Sequence, residues 1–247
     1  MTSIPGLKIK LYADGANRDD MLRMHKNPSI SGFTTNPTLM RKAGITDYRA
    51  FAFDILSAIP DRPISFEVFA DDLDEMESQA REIATWGRNV AVKIPVTNTE
   101  GQFTGRIIRK LSAAGIYLNV TALFTVDQVR KVVDCLSPEV PAIISVFAGR
   151  IADTGLDPVP LMSEALKIVR ERPNAELLWA SPRELLNVFQ ANDMGCDIIT
   201  ATSDILNKLS LYGKDLGEFS LETVQMFYSD ALAAGFDIPV AAELEPA

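Results

Sequence analysis

Eight short apolar runs, recurring about every 30 residues and separated by segments of helical periodicity, predict a single (β/α)8 TIM barrel across the 247 residues. An open doubly wound sheet also alternates strand and helix. No run, however, is followed by the GxGxxG or GxxxxGK[ST] turn with which such sheets bind nucleotides, which weakens that reading. No linker, repeat or low-complexity stretch divides the chain, so one domain over residues 1–247 is expected, its barrel at about 9–215.

Taken in order, the strand candidates are IKLYAD (9–14), SGFTT (31–35), PISFEVFA (63–70), VAVKIPV (90–96), IYLNVTALF (116–124), PAIISVFAG (141–149), AELLWAS (175–181) and DIITAT (197–202). Most are rich in β-branched or aromatic residues, as a strand buried between helices requires. Helical stripes lie between them: Leu73, Met76, Ala80 and Ile83 form one, and Val126, Val129, Val132 and Val133 another. TVDQ at 125–128 reads as a capping box, and Gly87, Gly115, Gly195 and Gly235 stand where helices should stop. SLETVQMFYSDALAAG (220–235) is left over as an extra C-terminal helix, with 236–247 as a frayed tail.

Side-chain alternation assigns faces. In VAVKIPV the branched Val90, Val92 and Ile94 face the helices, so Lys93 points into the barrel near the strand end, which Pro95 terminates. The same parity turns Asp14, Ser65, Glu67, Asn119, Thr121, Ser145 and Phe147 inward. The strands end in Asp14, Asn36, Glu67, Lys93, Thr121, Arg150, Ser181 and Thr202, about one polar group per βα unit. Barrel enzymes assemble their sites from such strand ends. Thr202 is the weakest member of the set, since threonine at that position also serves as a helix cap.

Composition narrows the chemistry. The net charge of −9 argues against nucleic acid or an anionic membrane as partner. MTSIPGLKIKLYAD has no apolar leader core and no stretch approaches a membrane span, so a cytoplasmic protein is expected. Two isolated cysteines, Cys135 and Cys196, fit a reducing compartment as core fillers. His25 is the only histidine, which excludes Ser-His-Asp and Cys-His mechanisms and argues against a zinc site; no metal is expected.

What remains is a buried amine among carboxylates. Burial disfavours the charged form of a lysine, and a neutral amine attacks carbonyl carbon to give a Schiff base. The protonated imine is an electron sink for cleaving or forming the adjacent C–C bond. Asp14 and Glu67 are suited to shuttle the protons, and Thr121 to hold a water between carboxylate and imine. Arg150, with Ser181 and Arg183 at the start of a predicted helix, offers a local anion site suited to a phosphorylated substrate.

The motifs LYADGA, GFTTNPTLM, FEVFA, VAVKIPVTNTEG, GIYLNVTALFTVDQ, ISVFAGRIAD and WASPREL, in that order from about residue 9 to 235, resemble those of the transaldolase family in its short-chain form. The resemblance implies a barrel with Lys93 as the Schiff-base lysine and Asp14 as acid/base for C–C cleavage. It implies that Glu67 and Thr121 hold the catalytic water, and that Thr34, Asn36, Asn119 and Ser145 contact sugar hydroxyls beside Phe147. Arg150, Ser181 and Arg183 would bind the terminal phosphate. No cofactor is implied, sugar phosphates are the expected partners, and the C-terminal helix is the expected contact of a homo-oligomer. The activity implied is transfer of a dihydroxyacetone unit from a ketose phosphate, fructose 6-phosphate or sedoheptulose 7-phosphate, to an aldose phosphate. A neighbouring branch, similar to fructose-6-phosphate aldolase, releases dihydroxyacetone; it tends to have glutamine at the position of Glu67 and tyrosine at that of Phe147. A third reading is a non-catalytic barrel that binds sugar phosphates. The chain departs from the family at Pro182, where an aromatic residue is usual after the serine.

Overall fold

A computed structural model describes Ile4 and residues 6–238. Among the described residues eight strands occur: Lys10–Asp14 (β1), Ile30–Thr34 (β2), Ile64–Glu67 (β3), Val90–Pro95 (β4), Leu118–Leu123 (β5), Ala142–Val146 (β6), Ala175–Trp179 (β7) and Ile198–Ala201 (β8). Each pairs in parallel with its sequence neighbour, and β8 returns to β1 to close the barrel. Closure decides between the two architectures that the alternating pattern allowed.

Between the strands lie Arg18–His25 (α1), Pro37–Lys42 (α2), Tyr48–Ala58 (α3), Leu73–Ala84 (α4), Gly105–Ala113 (α5), Val126–Val133 (α6), Ala148–Ala152 (α7), Pro158–Val169 (α8), Leu186–Asp193 (α9) and Ser203–Asn207 (α10). Their local chemistry is visible at the ends. Asp72 accepts from the backbone N–H groups of Asp74 and Glu75 to start α4, which then buries Met76, Ala80 and Ile83. Thr125 and Gln128 form the expected capping box of α6, whose Val129, Val132 and Val133 are buried.

Two apolar layers result. The larger packs outward-facing strand residues such as Ile64, Phe66, Val92, Ile94, Val120 and Ile144 against the helices. The smaller fills the barrel interior with Tyr12, Ile143, Leu178 and Ile198, flanked by Tyr117 and Phe147. Burying each Val, Ile or Leu side chain contributes about 1.5–3 kcal/mol, so the outer layer holds the strands rigid while the mouth stays polar.

Two elements differ from expectation. A short helix, α7, intervenes between β6 and α8 and carries Arg150. The helix expected beside Ser181 begins only at Leu186, because Asn187 Oδ1 accepts from the N–H groups of Arg183 and Glu184 and Pro182 has no N–H to offer.

Residues up to Leu209 form one compact unit and those from Ser210 a second. The second contains Leu216–Ala234 (α11), four residues longer at its start than the pattern suggested, since Asp215 caps the N–H of Glu218. Gly235 ends α11 in the left-handed conformation at φ 67°. Of the expected C-terminal tail, residues 239–247 lie outside the described residues.

Candidate active site

Strand register sets the centre of the site. Glu67 of β3 pairs with Lys93 of β4, which pairs with Asn119 of β5, so three inward side chains stand in one row at the mouth. On the opposite side Asp14 of β1 pairs with Thr34 of β2. Between them opens a cavity of about 360 Å³. It is lined by Lys93, Asp14, Glu67, Thr121, Thr34, Asn36, Asn119, Ser145, Phe147, Arg150 and Ser181; of the residues given a catalytic or binding role from the sequence, Arg183 is the one not on its wall.

Lys93 is almost wholly enclosed, and its ammonium is paired rather than isolated. Nζ lies 3.1 Å from Glu67 Oε2 and donates to the Thr35 carbonyl oxygen at 3.1 Å. The pairing answers the desolvation cost that a lone buried cation would incur. It also points the amine across the cavity from a fixed direction.

Asp14 accepts from the Thr34 hydroxyl at 2.7 Å and, more weakly, from Asn36 Nδ2 at 3.4 Å. Asn36 has no choice of orientation: its Oδ1 is taken by the Leu39 N–H at 2.9 Å as the N-cap of α2, so the amide nitrogen faces Asp14. Burial pushes the Asp14 carboxyl above its ordinary range, against the nearby Lys93 charge and the Thr34 hydrogen bond; Glu67 adds to the upward push.

Asn119 is pinned from both sides, donating to Ser65 Oγ at 3.0 Å and accepting from Ser145 Oγ at 2.6 Å. Thr121 Oγ1, buried on the cavity wall, has no hydrogen-bonding partner within the protein. Beside it, Ala122 adopts φ 61° where the β5–β6 register shifts, an irregularity that turns the chain at the cavity rim.

The second end of the cavity is built on α7. Arg150 stacks over the Phe147 ring, 5.4 Å from its centroid. Ser181, another non-glycine residue at positive φ (58°), turns its carbonyl onto Gly149 so closely that a Cβ there would lie 1.5 Å from the oxygen. The Gly149 N–H also donates to the Ala180 carbonyl at 3.2 Å. Arg183 instead forms a two-point ion pair with Asp153, with Nε 2.9 Å from Oδ1, and holds that carboxyl below its usual range.

Against known proteins, the chain matches the Transaldolase/Fructose-6-phosphate aldolase family model over residues 11–243. The chain belongs to this family. A "Probable transaldolase" of Dehalococcoides mccartyi is 37% identical over 202 residues, covering 81% of this chain and 90% of that one. Another of the same description, from Methanococcus maripaludis, is 34% identical over 203 residues, covering 81% and 89%. Among solved structures, a putative dihydrodipicolinate synthase family protein from Coccidioides immitis superposes with a TM-score of 0.58 at 12% identity, covering 87% of this chain and 76% of that one. A 2,3-dimethylmalate lyase gives 0.54 at 13%, covering 97% and 88%. At such identities the structural likeness concerns the barrel alone.

For a member of the transaldolase/fructose-6-phosphate aldolase family, the structure adds residues that sequence reasoning passed over. Thr35 supplies a carbonyl to Lys93 and Thr200 lines the cavity beside Thr34, while Ser65, already turned inward by parity, gains a role in orienting Asn119. Thr200 was legible by parity, two positions before Thr202 on the same face; Thr202 itself stands at the N-cap position of α10. Among the described residues no group of three or more His, Cys, Asp or Glu side chains is arranged to hold a metal. Nor, among them, is any helix long and apolar enough to cross a membrane.

Proposed function

We propose that this family member transfers a dihydroxyacetone unit from a ketose phosphate to an aldose phosphate through a Schiff base on Lys93. The observation that carries the reading is the single enclosed amine, 3.1 Å from Glu67, opposite Asp14 in one polar cavity. In this reading Glu67 takes a proton from the ammonium, and the neutral amine adds to the ketose carbonyl. Loss of water, with Glu67 and the unpartnered Thr121 hydroxyl handling the proton and the water, gives the iminium. Asp14 then removes the proton of the hydroxyl two carbons away; the C–C bond breaks, its electrons pass into the iminium, and an aldehyde departs. The acceptor aldehyde retraces these steps, Asp14 returning its proton, and water releases the product from Lys93.

Arg150 and Ser181, both on the cavity wall, receive the terminal phosphate in this reading, the guanidinium carbon lying 5.4 Å from the Phe147 ring centroid. Arg183 joins them only by leaving Asp153. Glu67 and Phe147 favour transfer over simple release of dihydroxyacetone, by the family pattern at those two positions. A cytoplasmic location and a homo-oligomer complete the reading. None of the residues of α11 is buried, and Phe219, Leu221, Val224, Phe227 and Leu232 stand exposed on it, an apolar surface suited to a second copy.

Borohydride reduction in the presence of fructose 6-phosphate tests the chemistry: a covalent three-carbon or six-carbon adduct is expected on Lys93, and none on Lys93→Met. Turnover with and without erythrose 4-phosphate tests transfer. Free dihydroxyacetone at full rate without acceptor would refute it in favour of the aldolase.

A further inference from the structure

Asp14 sits at the end of a chain of hydroxyls that leads away from the cavity. Thr34 Oγ1 lies 2.7 Å from Asp14 Oδ1 and 2.5 Å from Thr200 Oγ1. Both threonines are buried, at 3% and 6% exposure, and both stand on the cavity wall. A threonine hydroxyl has one hydrogen. If Thr34 gives its hydrogen to the Asp14 carboxylate, Thr200 must be the donor in the second contact. The order is therefore Thr200 to Thr34 to Asp14, each bond polarising the next. When Asp14 becomes a carboxylic acid protonated on Oδ1, the order can reverse, but the chain then ends on no charge and each bond is weaker, so Thr200 favours the carboxylate.

We propose that Thr200, acting through Thr34, is a positioning residue that holds the Asp14 carboxylate in one plane and in its ionised form in the resting site. The proposal rests on the reading of Asp14 as the acid/base of the C–C step. The second contact is made across the barrel closure. In the β1–β8 register Thr200 stands opposite Tyr12, and β2 brings Thr34 beside Asp14. Only a closed barrel places these hydroxyls together. The arrangement leaves Asp14 Oδ2, with its single long contact to Asn36, as the oxygen that meets the substrate hydroxyl.

The charged surroundings of Asp14 define what the chain must work against. Lys93 from β4 favours the carboxylate, while Glu67 from β3 and burial itself oppose it. Arg150 lines the same cavity from α7. The strands flanking β1 offer only neutral groups at this level: Thr34, with Asn36 just beyond the strand, from β2, and Thr200 from β8. Hydroxyl donors are thus the means by which those flanking strands stabilise the ionised form.

The test replaces Thr200 by Val, which keeps the shape and removes the hydroxyl, by Ala, which removes it without a new methyl contact, and by Ser, which restores it. Carbon-13 carboxyl NMR of protein labelled at aspartate, with Asp14→Asn to assign the signal, follows Asp14 without substrate. A neutral hydrogen bond lost one residue away should move the Asp14 midpoint upward by about half a pH unit in Val and Ala. Ser should stay at the wild-type value. Because the reaction needs ionised Asp14, activity falls as pH drops through that midpoint, so the acid limb of kcat/KM should move up by the same amount. An unmoved NMR midpoint in Val and Ala, or equal shifts in Ser and Val, would overturn the proposal. A moved NMR midpoint with an unmoved rate profile would confirm the chain and refute Asp14 as the acid/base.

Discussion

Gly149→Ala is the sharpest perturbation of this site that does not touch a reacting group. The new Cβ would lie 1.5 Å from the Ser181 carbonyl oxygen and 2.5 Å from its carbon. An ordinary contact is about 3.5 Å, so the two backbones must part by about 2 Å. Neither yields easily: Ser181 is already at φ 58°, and Gly149 lies in the helix that presents Arg150. Overpacking of this kind costs about 1–3 kcal/mol, and a backbone obstacle belongs at the upper end. At 2–4 °C per kcal/mol for a chain of this size, the melting temperature should fall by about 6–12 °C. A shift of about 1 Å at Arg150 should also lower kcat/KM for a phosphorylated ketose about 100-fold. The comparison is Gly44→Ala, where φ is 72° and nothing lies within 4 Å of the added Cβ. That change costs about 1–2 kcal/mol of backbone strain and should leave kcat/KM alone. Differential scanning calorimetry and steady-state assays on both variants decide the matter. A Gly149→Ala protein that melts with the wild type would refute the close approach. One that loses stability yet keeps its kcat/KM would refute the link to Arg150.

Four further outcomes are expected. Arg150→Gln should lower kcat/KM for the phosphorylated substrate by about 30- to 150-fold, the loss of a charged hydrogen bond of about 2–3 kcal/mol, and barely affect free dihydroxyacetone as donor. Arg183→Gln, which removes a group already engaged by Asp153, should change it less than about threefold; equal losses in the two variants would show that Arg183 leaves Asp153 to bind phosphate. Thr121→Val should slow borohydride-trappable adduct formation on Lys93 by about tenfold while substrate affinity holds, and stopped-flow trapping measures this directly. Phe227→Glu, on the exposed surface of α11, should lower the solution mass seen by light scattering without lowering the melting temperature of dilute protein; an unchanged mass would place the oligomer contact elsewhere.

Much of this protein was determined by local pattern. Strand and helix periodicity follow from which side chains must leave water, and the eight strands read from it overlap the eight observed, their ends differing by up to three residues. Alternation along VAVKIPV turned Lys93 inward before any neighbour was known. Pro95 and Asp72 ended and began their elements through chemistry that acts within a few residues. The same logic placed Asp14 and Glu67 at strand ends on the inner face and turned Asn119 inward.

Tertiary structure alone decided who meets whom. Register put Glu67 and Asn119 on either side of Lys93, and barrel closure brought Thr200 of the last strand to Thr34 of the second. No local rule couples residues 166 positions apart. Asn36 reads alike as a sugar ligand or a helix cap; only the Leu39 bond shows that its oxygen is taken and its nitrogen free for Asp14. Arg183 reads as a phosphate ligand until Asp153 is seen beside it, thirty positions away. Side-chain periodicity is a property of one segment and survives in the sequence. Pairing, orientation and the share of each hydrogen belong to contacts between segments, and these exist only once the barrel is closed.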